Sequence, residues 1–196
     1  MKTIPLIGVV ILSSFSTIMA ITPEQSTLIT DSSTTQNMDT LNVNLNQLKR
    51  DSWSVEELEN VKVAADFIEH LMMKHDFVYL EKHYMDHPYV QHSRGISDGM
   101  SGLFAYVKDI TKRFPEYTYD VKHITVDGDR VTFHSHATIK KKHRGNDTKG
   151  FNIIDTWRIK DGQIVEHWDA IQPLDGSSRL LVLLTGGKVR NANGLF

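Results

Sequence analysis

Two periodicities divide the chain. Behind residue 54, Leu58, Val61, Ala65, Ile68 and Met72 recur at intervals of three and four, the spacing of a helix that buries one face. Ser54 and Glu57 precede this stripe as a capping box, the hydroxyl accepting an orphan backbone N–H and the carboxylate reaching back. A second, shorter helix is predicted over Phe77–Tyr84. The His87-Pro88 step then imposes extended backbone on the approach to Tyr89-Val90-Gln91-His92. Asp98 reads as the cap of a third helix, with Leu103, Val107, Ile110 and Phe114 as its stripe and Pro115 as its stop.

From Tyr117 the period becomes two. Tyr117, Tyr119, Val121 and His123 alternate with Thr118, Asp120, Lys122 and Ile124, and Asp127-Gly128 is a hairpin turn. Val131, Phe133, Ser135 and Ala137 then oppose Thr132, His134, His136 and Thr138. After a basic loop, Lys140–Arg144, comes the most informative stretch, Phe151–Pro173. Its first strand carries Phe151, Ile153, Asp155, Trp157 and Ile159 on one face. Asp161-Gly162 turns the chain, because glycine tolerates the positive φ a tight hairpin needs. The second strand sets Ile164, Glu166 and Trp168 against Val165, His167, Asp169 and Ile171. Both faces are apolar, so alternation leaves open which one is inward and whether Asp155 and Asp169 reach one cavity.

Three helices followed by a four-strand meander make an α+β domain with its helices on one face of the sheet. It is expected over residues 54–175. Residues 1–20 have the outline of a secretory signal peptide: Lys2, an apolar run from Ile4 to Leu12, then small and hydroxylated residues up to Ala20. This points to a secreted or periplasmic protein. A membrane anchor is disfavoured because the run is shorter than the roughly 20 residues a span requires. Residues 21–53, rich in Ser, Thr, Asn and Gln, bury too little surface to offset ordering and read as a polar flexible linker. Residues 176–196 form a tail in which Leu180–Leu184 suits a strand, a docking segment or a cover over a pocket, and Asn191–Phe196 an exposed terminus.

Composition narrows the function. With 40% hydrophobic residues and a formal charge of −2, the chain is not basic enough for nucleic acid to be its main partner. Absence of cysteine removes thiol chemistry. Ten histidines are a surplus, and they make imidazole the reactive group to follow.

The pattern Ile159-Lys160-Asp161-Gly162-Gln163-Ile164-Val165-Glu166-His167-Trp168-Asp169, together with Tyr89-Val90-Gln91-His92 and Ser97-Asp98-Gly99, resembles the SnoaL-like branch of the NTF2-like superfamily, over roughly residues 55–175. The resemblance implies a cone: three N-terminal helices packed on a curved, mostly antiparallel sheet, with a pocket at the open end. It also implies a homodimer through the outer face of the sheet. In the SnoaL-like polyketide cyclases, the Asp that Asp169 matches is the acid/base of an intramolecular aldol closure, and no metal or organic cofactor takes part. Those cyclases carry a His where this chain has Asp155, so two close carboxylates would share a proton here.

The expected catalytic residues are therefore Asp169 as base, with Asp155 and His134 assisting. As an alternative to the shared proton, His134 or His136, on the strand before Asp155, supplies a proton donor to it. His92, His136 and His167 are expected to contact substrate. His134 and His136 with His92 or Asp169 are compatible with a metal site, but no ligand set is spelled out and none is assigned. The activity that follows is aldol-type condensation, cyclisation or isomerisation of a small apolar carbonyl compound. A non-catalytic module of the same fold, binding a hydrophobic ligand or dimerising, is the alternative.

Overall fold

The computed structural model describes residues 42–185, 190, 191 and 193. The predicted signal peptide and residues 21–41 of the predicted linker lie outside the described residues. The remainder of that linker is part of the fold. Val43 is buried in the core, its N–H bonds Glu69 Oε1 at 2.8 Å, and a single turn α1 (Leu45–Leu48) follows.

Helix α2 (Val55–Ile68) starts where the capping box places it. Glu57 N–H donates to Ser54 Oγ at 3.1 Å, and Ser54 N–H to Glu57 Oε2 at 2.8 Å. The helix continues into a wider π-helical segment, Glu69–Lys74, that ends on His75 at φ 53°. Widening rotates the apolar stripe, so three consecutive residues, Leu71, Met72 and Met73, are all buried. Helix α3 (Phe77–Tyr84) leads to a two-residue strand, β1 (Val90–Gln91), and then to α4 (Met100–Arg113). The cap of α4 is Gly99 at φ 81°; Asp98 instead accepts the Gln91 N–H at 2.9 Å.

The meander is β2 (Thr118–Asp127), β3 (Arg130–Thr138), β4 (Phe151–Lys160) and β5 (Gln163–Pro173). Sheet order is β1-β5-β4-β3-β2, antiparallel throughout except that β1 runs parallel to β5. The helix-facing side carries Phe133, Ile153, Trp157 and Ile159, all buried, and Trp157 meets Phe67 of α2 edge-on at 5.1 Å. Two bulges bend the sheet. One falls at Lys122 of β2, because Val121 pairs with Ser135 and His123 with His134. The other falls at Val165 of β5, because Ile159 pairs with Ile164 and Arg158 with Glu166. Each swaps the alternation that the sequence implies. His123 turns outward beside His134, and Ile124 turns in. Ile164 and His167 both face inward, although a regular strand would oppose them.

After β5 the chain forms α5 (Gly176–Thr185), not a strand. Asp175 starts it, accepting from Ser178 N–H at 3.2 Å and tying the turn to Gly150 N–H at 3.0 Å.

Helix α4 can approach the loop before it only because position 102 is glycine. A Cβ there would lie 2.1 Å from the carbonyl oxygen of Ser97, and backbone cannot yield as a flexible side chain would. Gly102→Ala is expected to destabilise the fold by about 1–3 kcal/mol, as overpacking does. Gly95→Ala, with nothing within 4 Å, is the control. Urea unfolding of both variants checks this.

Candidate active site

The bulge at Val165 restores β4–β5 pairing so that Trp157 lies opposite His167 and Asp155 opposite Asp169. Cross-strand partners share a face. Asp155, His167 and Asp169 therefore meet on the inner side of the sheet, at one end of a cavity. Met72, Ile96, Leu103, Val107 and Ile110 form its apolar wall, with Ile171 at the mouth. Tyr106, Tyr117 and Tyr119 add phenol rings to the same lining. The cavity has about 370 Å³ of empty space counting its open mouth, of which about 40 Å³ can hold the centre of a water molecule.

Asp155 and His167 are each 1% exposed. Asp155 Oδ1 lies 3.1 Å from His167 Nε2. The ring stacks on Trp157 at 3.8 Å, which fixes its plane. Its other nitrogen, Nδ1, lies 3.0 Å from Gln91 Oε1. That amide oxygen also accepts the Ser93 N–H at 2.8 Å, while Gln91 Nε2 donates to Tyr89 Oη at 2.8 Å. With the amide oriented in this way, Gln91 Oε1 is an acceptor and His167 Nδ1 must carry a hydrogen. A proton then lies between Nε2 and Asp155 Oδ1, on either the imidazole or the carboxyl. Asp155 Oδ2 is buried without a close hydrogen-bond partner, although the Tyr119 hydroxyl acts on the same carboxyl as a donor.

Burial pushes the Asp155 carboxyl up from its ordinary value. Hydrogen bonding by His167 and by Tyr119 opposes this, and the Asp169 charge adds to it. Burial also raises the phenols of Tyr119 and Tyr106, reinforced by Asp155 at the first and Asp169 at the second. Both stay protonated at neutral pH and are donors. Asp169, at the mouth, is less buried than Asp155.

Asp155, His167 and Asp169 each bring a possible ligand atom within 4.8 Å of the others, and no other such group of three is found among the described residues. A cation would have to replace the proton that joins Asp155 to His167.

The other expected site residues are elsewhere. His134 pairs with Ile154 and faces out, its Nε2 2.6 Å from Asn152 Oδ1; its neighbour Phe133 is the residue opposite Asp155. His136 has the same parity and donates to the Lys149 carbonyl at 2.7 Å. Neither is the proton donor to Asp155, since strand alternation turns both to the far face; His167 is the residue bonded to it. His92 stacks on Trp168 at 4.7 Å and donates to Glu166 Oε1 at 2.9 Å, also on the outer side. Of the expected histidines, only His167 reaches the acids, from beneath the cavity. Gln91 and the tyrosines carried no chemical signal in the sequence. Tyr117 and Tyr119 were marked only by period-two placement, which reads equally well as core, Tyr106 lay on a helix, and Gln91 stood in the Tyr89–His92 motif with no role of its own.

A profile of the SnoaL-like polyketide cyclase family matches residues 62–176. Among solved structures, the chain is 21% identical to a protein from Bacillus cereus described as a candidate polyketide cyclase, covering 66% of this chain and 83% of that one at a TM-score of 0.50. It is 17% identical to a candidate SnoaL-like polyketide cyclase from Jannaschia, covering 74% of this chain and all of that one at 0.52. These likenesses bear out the α+β fold of helices on a curved, mostly antiparallel sheet. No curated protein matches.

The raised carboxyl of Asp155 has a signature in stability. A group whose folded pKa exceeds its unfolded value takes up a proton on folding between the two. Its stabilisation is complete below the ordinary value of 3.8 and is lost as pH rises through the folded value. Asparagine at this position can still hydrogen-bond His167 Nε2 through either end of its amide and has no proton to lose. Across that window the stability of Asp155→Asn is expected to gain on wild type, by up to about 1.4 kcal/mol per pH unit. Urea titrations of both proteins from pH 3.5 upward, by roughly half-unit steps, check this.

Proposed function

The chain belongs to the SnoaL-like polyketide cyclase family, and from that premise we propose that it performs cofactor-independent acid–base chemistry on a small, largely apolar carbonyl compound. The reaction class is aldol-type condensation, cyclisation or isomerisation. The observation that carries this reading is the convergence of Asp155, His167 and Asp169 at the end of an otherwise apolar cavity.

The proton inventory balances. Asp169, at the mouth, removes the proton α to the substrate carbonyl. Asp155, protonated at Oδ2 while the proton it shares with His167 resides on Nε2, gives its Oδ2 proton to the carbonyl oxygen, so an enol forms. The resulting Asp155 carboxylate is held by the Nε2–H of His167. For isomerisation, Asp169 returns its proton to a different carbon as Asp155 recovers its own. For an aldol closure, the enol carbon attacks a second carbonyl and a C–C bond forms. The enol O–H returns its proton to Asp155, and Asp169 protonates the new alkoxide. Two carboxyls in unlike surroundings suit such paired roles. Tyr106, in the cavity lining near Asp169, is the phenol proposed to donate a hydrogen bond to the developing oxyanion, while Tyr119 acts on the Asp155 carboxyl.

The proposal extends to setting. We assign residues 1–20 to export and the outer sheet face, with Ile154 near its middle between His134 and Ala170, to a second copy of the chain. Ile154→Glu is expected to turn a dimer into a monomer in analytical ultracentrifugation. A wild type that is already monomeric at about 100 µM refutes the assignment, since stable dimers hold well below that concentration.

The chemistry is tested without knowing the substrate. A panel of small cyclic ketones and β-diketones is incubated with the protein in deuterium oxide, and loss of α-proton signals is followed by NMR. Wild type is expected to accelerate exchange of at least one compound, and Asp169→Asn to slow it by about 10²–10⁴-fold, the usual worth of a positioned base. Binding of a compound with no exchange, unaltered by either Asp→Asn change, favours the ligand-binding module.

A further inference from the structure

Gln91 fixes the ring of His167, and the residues that fix Gln91 come from the far end of the chain. Asn193 Nδ2 donates to the Gln91 carbonyl at 2.8 Å. Asn191 spreads its amide across the loop that follows, its Nδ2 donating to Ser93 O at 2.9 Å and to Ile96 O at 2.8 Å. Its Oδ1 accepts the Asn193 N–H at 3.1 Å, so both asparagines are locked together. Arg190 N–H donates to Arg94 O at 2.8 Å. This is the segment that the sequence pattern marks as an exposed terminus.

Apart from Asp98, whose Oδ1 accepts the Gln91 N–H at 2.9 Å and ties the two ends together, the loop has little of its own to shape it. Within Ser93–Asp98 the backbone makes one internal bond, Ile96 N–H to Ser93 O at 3.1 Å. Yet it has two duties at the site. Ser93 N–H holds the Gln91 amide in the orientation that makes its oxygen an acceptor, and Ile96 is part of the cavity wall. The hydrogen bonds from Arg190, Asn191 and Asn193 supply what local structure does not.

We propose that Asn191 and Asn193 are positioning residues: they strap the Gln91–Asp98 loop so that Gln91 holds His167 in its Nδ1–H form, facing Asp155 through Nε2. The inference rests on the acid–base reading of the site only for its consequence in catalysis. The placement itself is a property of the folded protein and is read without a substrate. Neither asparagine touches the cavity, so each acts through Gln91 and then His167. Asn191 acts on the loop from Ser93 to Ile96, and Asn193 on Gln91 directly.

The test is ¹⁵N NMR of the histidine ring nitrogens in the full-length protein, with His167 assigned by its loss in His167→Gln. In wild type, His167 is expected to show one species with a slowly exchanging Nδ1–H. In Asn191→Ala/Asn193→Ala, that proton is expected to exchange at least tenfold faster, and the ring to sample both tautomers while the far-ultraviolet circular dichroism stays that of wild type. A merely structural role would lower the melting temperature and leave the His167 signals of the folded protein unmoved; that result overturns the proposal. If the double variant does not fold, Asn193→Ala alone, which removes the bonds to the Gln91 carbonyl and to the Asp98 carboxylate, is measured in the same way: faster Nδ1–H exchange supports the strap, and unmoved His167 signals overturn it. Loss of ketone exchange in the strap variants with unchanged His167 signals also counts against it, whereas altered signals in a protein that never exchanges ketones leave the strap established and the acid–base reading refuted.

Discussion

A hydrogen bond between an imidazole and a carboxyl, both removed from water, is the constraint around which the site is arranged. An ionised pair at that depth is costly unless its remaining polar atoms are satisfied and its geometry is fixed. The structure meets this demand from three directions. Trp157 stacks beneath the His167 ring, Gln91 takes the far nitrogen, and β1 adds to the sheet beside β5 in parallel so that Gln91 lies next to His167 in register. What remains unsatisfied is Asp155 Oδ2, and it belongs to a residue lining the cavity.

The apolar surroundings and the network reinforce each other. Met72 reaches the cavity because the π-helical segment after α2 turns an extra apolar residue inward, and α4 reaches it because Gly102 allows close contact with Ser97. A low-dielectric wall raises the Asp155 carboxyl and keeps the tyrosine phenols protonated. Donors and acceptors that would be weak in water become effective here because solvent competes poorly for them.

The two faces of one sheet divide the histidines between different tasks. Inward, His167 is buried and tied to an acid. Outward, His134, His136 and His92 bond to Asn152, Lys149 and Glu166, while His134 lies against His123 and His92 stacks on Trp168. Chemical identity did not decide this division; position along the pleat did.

The sequence by itself determined the elements and much of their order. The capping box at Ser54, the apolar stripes, the period-two strands and the Asp-Gly turns are local signals, and each is realised where it was read. The resemblance carried by the last hairpin and by Tyr89–His92 pointed to the curved sheet with helices on one side, and named Asp155 and Asp169. Tertiary structure decided which residues meet. A bulge of one residue at Val165 exchanges the faces of everything beyond it, and alternation cannot record an extra residue in advance. That bulge puts Ile164 and His167 on one face, and strand pairing sets Asp155 opposite Asp169. His134, chosen for its nearness along the sheet, faces away from both. Gln91, Asn191 and Asn193 were illegible for a related reason: an amide has no pattern of its own, and its role is set by contacts between residues 76 to 102 positions apart that only the folded chain brings together.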